Sequence, residues 1–271
     1  MGVKKSVCAT KNNNLEVLLD ESPQSMYWLG FILADGNVTD TRLAVTISTD
    51  DRDHLVKLTD HIGGNIHDYT STTTFGKSNT SRVSAMDTKT VKKLLNKYDL
   101  KPNKTYNPPS VDILKKIPLE QRVSMWVGFI DGDGSIKVQN RKSSPYNVVI
   151  KLHTSWEEVL TLFISDLSEY FDMERTPSVI LDKSGYVRVA VSHMDVIMGL
   201  KKFSINNNLP TLSRKWDKID MNLTRSRSKL TKSQIGEVLT LFASGHNVFN
   251  ISKQFGVSYS LIHRIVKSSD T

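Results

Sequence analysis

Apolar positions along this chain follow two periods. Two runs, 26–34 (MYWLGFILA) and 125–132 (MWVGFIDG), are almost continuously apolar or small and carry no turn residues. They predict buried helices, each ending at an Asp-Gly pair, Asp35-Gly36 and Asp133-Gly134. After each run come segments with strand-like alternation: 42–49 and 147–155, then 82–86 and 186–192. Helical stretches are predicted at 51–63 and 155–171, and again at 88–98 and 194–203. Ser155 followed by Glu158 reads as a capping box. Each half therefore reads helix, two strands, helix, two strands, helix, an α+β pattern used twice.

The duplication is visible residue by residue. Residues 27–39 (YWLGFILADGNVT) align with 125–137 (MWVGFIDGDGSIK), with identity at Trp28/Trp126, Gly30/Gly128, Phe31/Phe129, Ile32/Ile130, Asp35/Asp133 and Gly36/Gly134. Packing the two copies about a pseudo-two-fold axis sets Asp35 beside Asp133. Gly30 with Ala34, and Gly128 with Gly132, lie at i and i+4 and share a helix face, which lets two backbones approach closely. A helix C-terminus carries about half a negative charge, so two such ends with two aspartates concentrate negative charge. A divalent cation resolves this; Mg²⁺ takes one or two carboxylates, waters and phosphate oxygens. Paired ions of that kind serve phosphoryl transfer. An EF-hand reading of 131–135 fails, because Ile136 stands where that loop needs glycine.

Composition narrows the partner. The 271 residues carry a net charge of +8, which favours a polyanion, nucleic acid by default. One cysteine, Cys8, excludes an internal disulfide framework and points to a reducing intracellular setting: a bacterial or phage-infected cytoplasm, or an organelle. No run approaches the roughly 20 apolar residues of a membrane span. The boundaries read as a tail (1–22), a first half (23–104), a Pro- and Lys-rich linker (105–122), a second half (123–222), a basic linker (223–229) and a small all-α domain (230–271). In that last segment Gly245 and Gly256 break three short helices, and the final two make a helix-turn-helix pattern. Val257, Leu261, Ile262 and Ile265 fit its core. The segment NISKQFGVSYSLIHRIVK resembles a resolvase-type helix-turn-helix, which implies a DNA-facing side of Tyr259, Ser260, His263 and Arg264, with Arg225, Arg227 and Lys229 of the linker in a minor groove or on phosphates.

The segments WLGFILADG (28–36) and WVGFIDGDG (126–134) resemble the motif of the LAGLIDADG homing endonucleases, and the resemblance covers about residues 23–222. It implies two pseudo-symmetric αββαββα halves packed through the motif helices, with a saddle of strands on the DNA major groove. It implies metal binding at the eighth motif position, Asp35 and Asp133, with Ala34 and Gly132 beside them. The implied cofactor is Mg²⁺, two or three ions, with Mn²⁺ as substitute. The implied reaction is cleavage of a long pseudo-palindromic duplex by a monomer, leaving short 3′ overhangs, as in intron homing by mobile elements. Lys104 and Lys215, after the last helix of each half, and Lys151, whose counterpart is Thr46, match positions where the family carries catalytic basic or polar groups. Leu33 departs from the motif's usual acid, which Asp131 keeps. Strand residues expected to face DNA are Asn37, Thr39, Arg42, Thr46, Ser48 and Arg82 in the first half. In the second they are Lys137, Gln139, Arg141, Lys142, Lys151 and Arg188. The alternatives are a non-cleaving DNA-binding regulator and an RNA maturase whose partner is intron RNA.

Overall fold

A computed structural model of the chain describes residues 13–73, 76–140, 144–173, 175–223, 230 and 232–269. Arg141, Lys142, Arg225, Arg227 and Lys229, expected to meet DNA, lie outside the described residues, as does the side chain of Arg264. The chain divides into two compact units, one within 1–139 and 146–220, the other within 140–145 and 221–271.

The larger unit is organised by two helices, α1 (Pro23–Asp35) and α5 (Leu119–Asp133). Ser22 caps α1 by accepting from the Ser25 amide at 3.3 Å, and Pro23 fits the first turn, where its missing N–H costs nothing. Both helices are buried on every side, from Ser25 to Ala34 and from Arg122 to Asp131, so neither shows an amphipathic stripe. Their glycines set the spacing. A Cβ on Gly30 would overlap the Met125 carbonyl oxygen, and one on Gly128 the Tyr27 carbonyl oxygen. Gly36 and Gly134 end the helices in extended backbone, φ −72° and −84°, so a left-handed conformation is not what selects glycine there. Space selects it: a Cβ on Gly134 would lie 2.6 Å from the Ile130 carbonyl oxygen.

Each helix leads into a four-stranded antiparallel sheet. β1 (Gly36–Val38), β2 (Arg42–Ser48), β3 (Ile66–Thr73) and β4 (Gly76–Met86) take the order β1-β2-β4-β3. β5 (Gly134–Val138), β6 (Tyr146–His153), β7 (Ile180–Leu181) and β8 (Tyr186–Val191) take the order β5-β6-β8-β7. One face of each sheet is core: Leu43, Val45, Val83 and Ala85 in the first, Val148, Ile150, Val187 and Val189 in the second. Outer helices close the core through their apolar faces. These are α2 (Arg52–Ile62) and α3 (Thr88–Tyr98), then α6 (Glu157–Tyr170) and α7 (Met194–Asn206). Two short helices, α4 (Val111–Leu114) and α8 (Ser213–Trp216), follow the last helix of the first and second halves. This is the duplicated α+β pattern read from the sequence.

Three local expectations change. The Ser155–Glu158 capping box does not form. Ser155 Oγ instead donates to the Thr105 carbonyl at 2.7 Å, and α6 starts at Glu157 without a side-chain cap. β3 was not located because residues 68–72 are exposed on both faces, leaving no apolar alternation to read. Part of the expected N-terminal tail belongs to the core: Leu15 and Leu18, in a 3₁₀ turn at Leu15–Leu19, are fully buried. Tyr98 Oη and Ser25 Oγ hold that turn by donating to the Leu18 and Val17 carbonyls at 3.0 and 2.7 Å.

The smaller unit comprises α9 (Lys232–Ala243), α10 (Val248–Gln254) and α11 (Tyr259–Ser269) around Leu230, Val238, Ile251, Ile262 and Val266. Asn247 caps α10 by accepting from the Asn250 amide at 2.8 Å. Gly245 and Gly256 make the turns between helices at φ 91° and 62°, where a side chain would be strained. Among the described residues no helix is long and apolar enough to cross a membrane.

The helix contact gives a direct prediction. Gly30→Ala forces α1 away from α5 and costs about 1–3 kcal/mol by overpacking, read as a lower urea midpoint. A midpoint equal to wild type would show that the two backbones do not meet at Gly30.

Candidate active site at the ends of the paired helices

Because α1 and α5 touch along their length, their C-termini arrive together. A Cβ added to Gly132 would overlap the Ala34 Cβ and lie 3.4 Å from Asp35 Oδ2, so Asp35 lies against the end of α5. Asp35 and Asp133 both face solvent on one side. Around the other side the helix ends exclude water. Burial first, then the charge of Asp133, pushes the Asp35 pKa up to about 6. Burial likewise raises Asp133, and the cations of Lys104 and Lys215 oppose the rise in both.

The two lysines occupy equivalent places. Lys104 Nζ donates to the carbonyls of Ile32 (3.3 Å), Leu33 (2.7 Å) and Ala34. Lys215 Nζ donates to those of Ile130 (3.0 Å), Asp131 (2.5 Å), Gly132 (3.2 Å) and Gly134 (2.6 Å). Each ammonium thus satisfies the orphan carbonyls of one helix C-terminus and offsets its negative dipole. The Ala34 and Gly132 carbonyls, assigned to the metal by resemblance, accept from these lysines. Burial pulls Lys104 down to about 8, against the attraction of Asp133 and Asp35, and lowers Lys215 in the same way.

The Lys104 segment is anchored by the second half, and the Lys215 segment by an acid of its own half that Tyr27 of the first half shares. Trp156 Nε1 donates to the Lys104 carbonyl at 3.1 Å, and Ser155 holds Thr105. On the opposite side Asp131, 1% exposed, accepts from the Leu212 amide (2.9 Å), Trp216 Nε1 (2.7 Å) and Tyr27 Oη (2.6 Å). Tyr27 Oη in turn meets His54 Nε2 at 3.0 Å. Burial raises Asp131 to about 6, and the Tyr27 hydrogen bond leads the opposing effects. Asp131 is thereby an internal anchor, whereas Leu33 at the matching position simply packs in the core.

The polar faces of both sheets flank the carboxylates. Thr46 pairs with Arg82 across β2 and β4, and Lys151 with Arg188 across β6 and β8, at matching places. Lys151 is ion-paired to Asp182 at 2.7 Å and lies 4.9 Å from the Tyr186 ring centroid. Asn37 and Lys137 are exposed, and Gln139 is half-buried just past β5. Arg42 and Arg82 are half-buried, each with its Nε unpartnered. Thr39 and Ser48 serve local structure as well: Thr39 closes the β1–β2 turn onto the Arg42 carbonyl, and Ser48 accepts from the Asp50 amide at 3.3 Å. In the smaller unit Tyr259, Ser260 and His263 share exposure, with the Tyr259 and His263 rings stacked at 6.0 Å. Sequence reading missed Arg214 and Asp51, which pair at 2.5 and 2.6 Å in a cleft of about 200 Å³ beside Asp35. The only signal for Arg214 was its place next to Lys215.

The donor set fits a hard divalent ion. Two carboxylates converge without sulfur or imidazole, and among the described residues no group of three His, Cys, Asp or Glu completes a cage. An ion held there keeps positions for water and for substrate oxygens, the habit of Mg²⁺ rather than of structural zinc.

Residues 126–217 match the family model described as LAGLIDADG endonuclease, about a third of the chain. Among solved structures, the homing endonuclease I-WcaI bound to its DNA recognition sequence is similar over 78% of this chain and 89% of its own, at 17% identity and TM-score 0.52, a likeness of fold. The meganuclease I-SmaMI bound to uncleaveable DNA aligns over 82% and 97%, at 16% identity and TM-score 0.45. Full-length DUF199/WhiA from Thermatoga maritima aligns over 94% of each chain, at 14% identity and TM-score 0.40. No curated protein matches the chain.

The raised Asp35 pKa has a testable consequence for stability. The folded state holds this proton more tightly than the unfolded chain, so the ionised carboxylate opposes folding as pH rises from about 4 through about 6. Solvent on the open side screens the effect. In metal-free protein, Asp35→Asn therefore raises the thermal midpoint at pH 7.5 by about 2 °C, and the gain disappears by pH 4. A lower midpoint for the variant at pH 7.5 would show that no such electrostatic conflict exists.

Proposed function

We propose that this protein is a site-specific homing endonuclease that hydrolyses both strands of a duplex DNA target with divalent metal ions, Mg²⁺ first among them. The observation that carries the reading is the pseudo-symmetric pair Asp35 and Asp133, each at a helix end neutralised by its own lysine. Two equivalent acidic positions suit the two strands of a duplex, and the net charge of +8 suits its phosphates. A divalent ion between these carboxylates would supply an activated water and offset the charge that builds on a phosphodiester.

The chain's own groups divide the remaining work. Asp35 and Asp133 present oxygen donors at fixed positions, because the helices that carry them cannot slide past Gly30 and Gly128. Lys104 and Lys215 keep the helix ends from repelling a phosphate. Thr46 and Arg82 on one sheet, Lys151 and Arg188 on the other, flank the acids and face the polynucleotide. Asn37, Arg42, Lys137 and Gln139 extend that surface for sequence readout in the major groove. Target length, 3′ overhangs and monomeric action follow the family resemblance. Tyr259, Ser260 and His263 on α11 give the smaller unit a second DNA contact, which raises affinity through effective concentration.

The test is a library of randomised duplexes incubated with Mg²⁺, beside Asp35→Asn and Asp133→Asn. Expected are cuts at one defined sequence with short 3′ overhangs, falling to background in both variants. Sequence-selective binding without cleavage under any divalent metal overturns the endonuclease and favours a DNA-binding regulator or an RNA maturase.

A further inference from the structure

The two clefts beside the acidic pair differ in where their cation comes from. The cleft at Asp133 contains Lys151, supplied by its own sheet and ion-paired to Asp182 at 2.7 Å. The position equivalent to Lys151 in the first half is Thr46, which carries no charge. The cleft at Asp35 contains instead Arg214, from α8 of the second half. Its equivalent in the first half, next to Lys104, is the uncharged Asn103. The Asp133 cleft also holds Arg188, which Arg82 repeats, and Lys137, opposite the uncharged Thr39; the Asp35 cleft has Arg214 as its lining cation, and the duplication does not repeat it.

Arg214 crosses between halves to reach Asp51, at 2.5 and 2.6 Å. Asp51 precedes α2 but makes no capping bond with its side chain. The pair engages two of the guanidinium's five N–H donors, and the Arg214 side chain is 57% exposed beside Asp35. A planar fork held by a carboxylate, with donors to spare in an acidic cleft, matches the geometry by which arginine grips phosphate. The Asp51 side chain is only 11% exposed, so the carboxylate is a fixed post while the guanidinium it holds stays open to the cleft.

We infer that Arg214 is a catalytic cation of the Asp35 centre, lent by the second half and bound to the non-bridging oxygens of the phosphate cut there. It transfers no proton; it neutralises charge on those oxygens, and Asp51 holds it in place until DNA arrives. The inference rests on the endonuclease reading above. It makes the two cuts mechanistically unequal, one assisted by an arginine from the opposite half and one by a lysine of the same sheet.

The experiment uses the full chain and a duplex that the wild type cuts, with each strand labelled. Arg214→Ala is expected to slow one strand by about 100-fold while the other stays within a few-fold, so nicked duplex accumulates. Without metal, its duplex binding weakens, and the slope of log affinity against log salt flattens by about 0.9, the mark of one lost phosphate contact. Asp51→Ala, which frees the guanidinium, is expected to bind about twofold tighter, because phosphate no longer competes with a carboxylate. Equal slowing of both strands, no slowing, or weaker binding in both variants would make the pair a structural bridge and overturn the inference. A wild type that cuts no duplex would instead bring down the endonuclease reading on which it stands.

Discussion

Everything at the acidic centre depends on how closely two helix backbones approach. At Gly30 and Gly128 the carbonyl of the partner helix occupies the space a methyl group would need. That contact fixes the spacing of α1 and α5, and so delivers two helix C-termini and two aspartates to one place. The arrangement is electrostatically unfavourable, since each terminus adds about half a negative charge to its carboxylate. The fold answers with Lys104 and Lys215, whose ammonium groups are bound by the very carbonyls that create the field.

The lysines are in turn fixed by exchange between the halves. Trp156 and Ser155 of the second half hold the Lys104 segment, while Tyr27 of the first half shares Asp131 with the Lys215 segment. The anchors are chemically different although the lysines are equivalent. An indole N–H and a hydroxyl serve one side; a buried carboxylate with three donors serves the other. Pseudo-symmetry is therefore kept where charge must be balanced and lost where any adequate anchor will do. The departure of Leu33 from the motif belongs to this second class: without donors to satisfy, a buried acid there would only cost desolvation energy.

The same division governs the sheet faces beside the carboxylates. The sheets repeat in order and in pairing, and Thr46/Arg82 matches Lys151/Arg188. Lys151 and Arg214 are not repeated. Lys151 sits within its own sheet, whereas Arg214 reaches Asp51 across the boundary between halves. The two clefts therefore differ chemically although the sheets that line them repeat.

Sequence alone determined the duplication, the two buried helices, their small-residue faces and the paired aspartates, because period, identity and spacing are local properties. It also marked Lys104, Lys215 and the α+β order of each half. It misread the start of α6, where Ser155 has a tertiary partner in Thr105 instead of a local cap. It left Leu15 and Leu18 in a tail, and it expected a second strand before α3 without locating β3, whose polar residues owe their strand to the ladder with β4. Which carbonyls the lysines bind, why Asp131 is an anchor, and how Arg214 meets Asp51 from 163 residues away were decided only by the tertiary structure. Those are meetings of distant groups at shared desolvated surfaces, and no periodicity along a chain encodes the distance between residues that fold together.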